Sequence, residues 1–387
     1  MDTKNIVVVG GGAAGFFCAI QIAEMHPNWQ ITIVEKTSKL LSKVRVSGGG
    51  RCNVTHACPE VDHLIQKYPR GQRFLKKAFY QFATLQTIDW FAKNDVKLHT
   101  EKDGRMFPIT NDSETIVACF MKKVNQYEIE ILLNHEVVSV EKKADTTNRF
   151  EVICSNKIIL KAAQICFAVG GIVKAENFKW IETLGHHFIP SVPSLFTFNV
   201  IDKKITTLMG LSVEQASIQW QGEKFMEQGP LLITHWGISG PAAIKLSAWC
   251  ARAMADANYE GNILINWVPL YNENSLRLEW MNFRQDLGRR EMGSKNPFDL
   301  PQRLWHYLLT EAGIVLQTKW ADLKNTQQQQ LIQLLTRMSL SIKGKTTFKE
   351  EFVTCGGVDL AEIDAITMES KLLPGIHFAG EMMDVDG

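Results

Sequence analysis

The sequence predicts an α/β protein built on a Rossmann-like dinucleotide-binding domain. Three observations predict it: the β-branched run Ile6 to Val9, the cluster GGGAAG at 10–15 directly behind it, and Glu35 at the end of the next strand-like run, QITIVE. Apolar runs without alternation belong to strands buried on both faces of a parallel sheet. With 387 residues, 45% of them hydrophobic, the chain exceeds what one core usually organises, so two or three domains are expected.

Each position of the first loop has a physical reason. Gly10 permits the tight turn out of the strand, Gly12 leaves room for a pyrophosphate against the backbone, and Gly15 lets helix and strand pack closely. The segment FFCAIQIAEMH after it reads as a helix, and its N-terminal amides are placed to face phosphate. Glu35, 20 residues beyond Gly15, can accept hydrogen bonds from a ribose diol. An acid there argues for a free 2′-hydroxyl, hence FAD or NAD rather than NADP.

A second cluster, SGGGRCN at 47–53, lacks a buried strand before it and an apolar helical pattern after it, and it has no Walker lysine. It reads as a glycine-rich loop carrying a cation and an amide. Arg51 can pair with a phosphate and Asn53 with a polar ring edge; a surface turn with a structural arginine accounts for the same residues. From Glu130 to Val169 come short strand-like runs (IEILL, EVVSVEK, RFEVICS, KIIL, QICFAVGG) that read as a meander. The last stretch, LLPGIHFAGEMMDVDG, places Gly380 and Glu381 just past an apolar strand, at the sheet edge where ligands bind.

Composition narrows the classes. Forty-two basic residues against 41 acidic ones give no net field favouring nucleic acid or anionic membrane, so a small-molecule substrate is expected and nucleic acid is not. The eight cysteines are scattered without a CxxC pair or zinc-type spacing, which points to free thiols, a cytoplasmic setting and no metal site. No apolar run approaches the ~20 residues of a membrane span, and the glycines at 10–15 interrupt the only signal-like stretch.

At SGGGRCNVT, ITHWGISGPA and VTCGGVDLAEIDAITMESKLLPGIHFAGEMMDVDG the chain resembles the BaiN/YhiN-type family of NAD(P)/FAD-dependent oxidoreductases, some members of which are described as aminoacetone oxidases. The similarity extends over most of the sequence. It implies a flavoprotein of the two-dinucleotide-binding-domain type that binds FAD, with Gly10, Gly12 and Gly15 on the pyrophosphate and Glu35 on the adenosine ribose. Arg51, Cys52 and Asn53 then lie near the flavin, Val137 meets the adenine through its backbone, and Gly380 and Glu381 contact the ribityl and pyrophosphate region. Ala13, Ala14, Lys36, Lys43, Gly50, Ala168 and Gly170 complete the candidate cofactor set. On this reading the second glycine cluster is a lid on the same FAD.

The resemblance also implies a domain plan. Residues 1–190 and 350–387 form a discontinuous FAD-binding domain, 191–272 an inserted β-barrel-like domain, and 273–349 a helical subdomain and return. Within it, LFTFNVI, ASIQWQG, GPLLITHWG and NILINWV read as strands and 273–342 as a polar helical region; the short glutamine run at 327–330 reads as a solvated helix face. His235, in ITHWGISGPA, has two readings: a proton donor facing the flavin, or part of a turn that caps a helix starting at Pro241. Cys52 beside Arg51 can be read as a redox thiol, but no resolving partner is spaced for it.

The leading functional expectation is an FAD-dependent oxidoreductase that moves a hydride between a small organic substrate, or NAD(P)H, and the flavin. No second GxGxxG flanked by strand and helix appears, so any NAD(P)H meets the flavin directly. No catalytic residue is identified. The competing class is a flavin-holding redox sensor or scaffold without turnover; a third is a tRNA-modifying flavoprotein, which needs a basic patch hidden in the net charge. Two departures from the family pattern stand out: the segment after FAVGG lacks the glycine- and serine-rich loop, and the sequence stops at Gly387, before a turn and helix whose N-terminus faces the flavin ring. A chain ending there is expected to hold FAD loosely, with little turnover.

Overall fold

A computed structural model describes residues 3–144, 147–171, 179–346 and 353–386; the segment after FAVGG, at 172–178, lies outside them. The chain divides into two compact units, Met1–Val192 with Lys349–Gly387, and Pro193–Phe348.

The first unit is organised by a five-stranded parallel sheet in the order Ile376–Phe378, Gln164–Phe167, Asn5–Val9, Gln30–Glu35, Glu130–Leu133. Val8 pairs with Cys166 on one side and Ile33 on the other, and Ile6 to Val9 are all buried, as a central strand covered on both faces requires. The helix Ala13–Met25 packs Gly15, Phe16, Ala19 and Ile20 inward. The run IEILL, expected in the meander, instead forms the edge of this sheet, because the helix Glu114–Gln126 supplies the crossover that returns it parallel to Gln30–Glu35. Likewise QICF inserts beside Asn5–Val9. Of the runs between Glu130 and Val169, those at Val137–Lys142, Phe150–Cys154 and Ile159–Ala162 make the antiparallel meander.

The second unit contains a closed six-stranded barrel: Thr197–Val200, Gly237–Ser239, Met226–Ile233, Ser212–Trp220, Glu260–Asn266 and Met338–Thr346, with the last strand pairing back onto the first. The stretch 338–342, read from sequence as helical, is therefore strand. Its residues alternate buried and exposed from Met338 to Ile342, the period-2 pattern of a barrel wall. The helices Glu273–Leu287, Gln302–Glu311 and Asn325–Arg337 share one hydrophobic core with the barrel strands. Trp280, Trp305 and Trp320 are fully buried in it, so the helical stretch has no separate core.

Candidate functional site

The site in the first unit is built from the backbone of the first glycine loop. Gly10 has φ +118°, and a Cβ there would stand 2.3 Å from the Ala168 carbonyl oxygen; a Cβ on Gly15 would stand 1.9 Å from the Gly10 oxygen. These two glycines are therefore required by contact with the protein itself. Gly12 differs: a Cβ there would meet nothing within 4 Å, because it faces open space at the start of the helix. That helix has no side-chain cap and no acid in its first turn, so its leading amides and positive dipole end are available to an anion.

Glu35 anchors the loop from the neighbouring strand. One carboxylate oxygen accepts from the Gly11 N–H at 2.8 Å, and the other accepts from the Thr37 N–H at 2.9 Å and hydroxyl at 2.8 Å. A carboxylate offers about four acceptor positions, so one is left for a ribose hydroxyl. Glu381 is held by three groups from distant parts of the chain: Lys43 Nζ at 2.6 Å, the Thr354 N–H at 3.1 Å and the Gly171 N–H at 3.3 Å.

These residues belong to a cleft of about 430 Å3, lined by Gly10, Gly12, Ala13, Ala14, Glu35, Lys36, Lys43, Ala168, Gly170 and Glu381 together. It runs into a second cavity that shares Gly10, Glu35 and Lys36 and adds Val137, His135 and Trp180. A third, mostly apolar cavity of about 450 Å3 shares Ala13, Ala14 and Lys43 with the cleft and adds Phe17, Ser47, Cys52, Asn53, Phe82, Thr87, Phe91 and Phe120. The three cavities adjoin one another at these shared residues, and together they are the trough of this site. Gly380 is not in the lining; its φ of +75° and a would-be Cβ 2.8 Å from Ala14 Cβ place it behind the loop.

Sequence reasoning missed His135 and Trp180. His135 Nδ1 lies 2.7 Å from the Leu133 carbonyl, which makes Nδ1 the donor and leaves Nε2 as an acceptor. Nε2 is buried with no hydrogen-bond partner, which suits a ligand amine in that cavity. No motif flags a lone His two residues before a strand.

Of the two readings of the second glycine loop, the structure has the turn with a structural arginine rather than the cation on a phosphate. Ser42 to Val46 is helical, and Gly48 and Gly49, at φ +60° and +70°, turn the chain out of it. Arg51 is turned away from the trough: its guanidinium pairs with Glu101 at 2.6 Å and lies 4.0 Å over the Phe107 ring, while the Gly50 carbonyl accepts from the Ser113 N–H at 2.9 Å. Neither lines a cavity of the trough; an internal ion pair beside a tight turn satisfies the cation locally. Ser47, Cys52 and Asn53 are what the loop contributes. Burial pushes the Cys52 thiol up to about 11, the opposite of the activated thiolate a redox role requires.

His235 sits exposed in the turn before Gly237–Ser239 of the second unit, its ring 4.3 Å from that of Trp236, and Pro241 begins the helix Pro241–Trp249 as the capping reading expects. Among the described residues no cluster of His, Cys, Asp and Glu could hold a metal, and no helix is long and apolar enough to cross a membrane.

The HI0933-like protein Rossmann domain family matches residues 4–387. The chain belongs to the HI0933-like family. Among its relatives is a ribosomal RNA dihydrouridine synthase of Haemophilus influenzae, 28% identical, with 98% of this chain and 92% of the relative aligned. A protein of the same description from Escherichia coli is 27% identical over 100% of this chain and 93% of its own length. A 3-dehydro-bile acid delta(4,6)-reductase of Clostridium scindens is 23% identical over 99% and 94%. The 3-ketosteroid-delta4-(5alpha)-dehydrogenase of Rhodococcus jostii RHA1 has the same fold at a TM-score of 0.50, with 11% identity over 99% of this chain and 91% of that one. The family match and this fold make the chain a Rossmann-domain protein.

Proposed function

We propose that this chain is an FAD-dependent oxidoreductase whose hydride chemistry acts on a carbon–carbon double bond conjugated to a carbonyl. The observation that carries the cofactor is the open trough beside Gly12, a cradle that any side chain at that position would fill. FAD would lie with its adenosine toward Val137 and His135, its ribose on Glu35 and its pyrophosphate at the amides of Ala13 and Ala14. The flavin half would extend toward Lys43 and Glu381. Bound there, the flavin would supply a carrier for two electrons as hydride.

The protein's own part is binding and exclusion of water. The leading amides of the helix Ala13–Met25 favour the pyrophosphate charge, and the apolar cavity walled by Phe17, Phe82, Phe91 and Phe120 offers a ring-shaped substrate a place next to the cofactor. The reaction class is suggested by the names of the relatives. Dihydrouridine synthesis and bile acid delta(4,6) reduction both add hydrogen across a double bond conjugated to a carbonyl. NAD(P)H is the proposed donor, and it would meet the flavin without a second dinucleotide fold.

The test is the visible absorption spectrum of the purified protein, reconstituted with FAD where needed, followed by anaerobic NADH and NADPH. The expected result is stoichiometric FAD bleached by one of the two and reoxidised by a conjugated enone or uridine substrate. A protein that takes up no FAD sinks the proposal, and one that holds FAD but never cycles it returns the chain to the sensor class.

A further inference from the structure

Between positions 36 and 59 the sequence has no Asp or Glu, while Lys36, Lys39, Lys43, Arg45 and Arg51 all fall within that span. Arg51 is turned toward Glu101. Lys39, Lys43 and Arg45, however, line one cleft of about 750 Å3 that has no acidic side chain in its lining among the described residues. This cleft adjoins the cofactor cleft, because Lys39, Ser42 and Lys43 line both.

Its walls are of two kinds. Val117 and Met121, one turn apart on the helix Glu114–Gln126 and so on the same face of it, form an apolar wall with Leu40 and Val46. Opposite in chemistry are Lys39, Arg45, Ser38 and Ser42. Lys39 makes hydrogen bonds through its backbone only, and among the described residues nothing engages its amine or the hydroxyls of Ser38 and Ser42. Arg45 pairs with Glu114, but the two side chains are 43% and 56% exposed. An ion pair that open is weakly held, so its guanidinium can turn to a phosphate, which it binds with two hydrogen bonds.

We propose that this cleft binds the adenosine 2′-phosphate end of NADPH, with the phosphate among Lys39, Arg45, Ser38 and Ser42 and the adenine against Val117 and Met121. It thereby selects NADPH over NADH as the electron donor. The proposal rests on the oxidoreductase reading and names the donor for it. Glu35 disfavours a 2′-phosphate at the ribose position of the first glycine loop, and no second GxGxxG flanked by strand and helix occurs, so such a nucleotide needs a site of another kind. A base with apolar faces joined to a dianion matches a cleft with one apolar wall and one cationic wall. The cleft meets the cofactor cleft at Lys43, toward which the flavin half extends in the proposed pose, so a nucleotide anchored here directs its nicotinamide end toward the flavin.

The test is calorimetric titration of the FAD-loaded protein with NADP+, NAD+ and adenosine 2′,5′-bisphosphate, together with FAD content and thermal midpoint for every variant. Wild type is expected to bind NADP+ about tenfold or more tighter than NAD+, the worth of charge-assisted hydrogen bonds to one phosphate, and the bisphosphate is expected to compete with NADP+. Lys39→Ala/Arg45→Ala is expected to bring NADP+ down to the level of NAD+ while NAD+ affinity and FAD content hold. Lys39→Ala alone, which has no internal partner to lose, should cost roughly fivefold for NADP+ only. Met121→Glu, an acid brought in from the other wall, should also weaken NADP+ more than NAD+. The control Lys142→Ala/Lys161→Ala, on exposed positions of the antiparallel meander, leaves both affinities unchanged. Equal affinity of wild type for NADP+ and NAD+ overturns the proposal. So does an equal loss for both nucleotides in Lys39→Ala, or a loss of FAD in that variant, which would give the cation to FAD instead. Binding is read without turnover: equal nucleotide affinities with FAD in place remove this site and leave the oxidoreductase reading standing, whereas NADP+ selectivity through Lys39 in a protein that takes up no FAD does the reverse.

Discussion

The two glycine loops have similar composition and opposite uses. In the first, Gly10 and Gly15 are forced by close approach of the protein's own backbone, and Gly12 keeps space empty beside a bare helix N-terminus. In the second, Gly48 and Gly49 adopt positive φ to fold the loop onto protein: a Cβ on Gly48 would strike the Phe107 ring at 2.6 Å, and Arg51 is satisfied by Glu101 and that same ring. Glycine enrichment alone does not distinguish a cradle from a tightly folded turn. What surrounds the missing Cβ does.

The largest expected effect is for Gly15→Ala, whose methyl would overlap the Gly10 carbonyl. A decrease of about 3 kcal/mol in stability, at the upper end of overpacking costs, is expected in urea unfolding, with FAD binding abolished as well. Gly12→Val sharpens the contrast, because its side chain meets ligand space rather than protein. FAD affinity should fall by a hundredfold or more while the unfolding free energy in urea stays within about 0.5 kcal/mol of wild type. Equal flavin content in the two proteins would move the pyrophosphate elsewhere.

Glu35→Gln tests the acid that closes the first loop. Calorimetry should show FAD weakened by about 1.5 to 3 kcal/mol, the range for a charged acceptor, and FMN, which has no adenosine ribose, little changed. Equal effects on both would make Glu35 a structural anchor for Gly11 and Thr37 only. Arg51→Met addresses the second loop and should cost about 1 kcal/mol of stability, since it removes a part-exposed ion pair and one cation–ring interaction. FAD affinity should not change; a weakening comparable to that of Glu35→Gln would put Arg51 on the cofactor after all.

The smallest effect concerns Cys52. Its thiol keeps its proton to about 11 in the folded protein, whereas an unfolded cysteine ionises near 8.5. Above that pH the unfolded state holds fewer protons, so this contribution is complete below about 8.5 and is lost as pH rises toward 11. Cys52→Ala should accordingly flatten the decline in urea midpoint between pH 8 and pH 10. An identical decline in both proteins would mean that the thiol ionises normally.

Local chemistry in the sequence determined the first loop, the parallel strands around it and the Rossmann class, because a β-branched strand, glycines at fixed offsets and a terminal acid each act within one βαβ unit. The strand at Ile376–Phe378 was legible for the same reason. The assignment of IEILL to the sheet edge, of 338–346 to the barrel wall and of the helical stretch to the barrel core was not, since each depends on which distant segment covers a short apolar run. The same holds at the site. Glu101 and Phe107, some 50 residues on, decide where Arg51 points, and the unpartnered Nε2 of His135 and the shared walls of three cavities exist only once the chain has closed. Covalent neighbours fix backbone conformation, but the direction of a side chain and the space left beside it are set by contacts that sequence proximity does not encode.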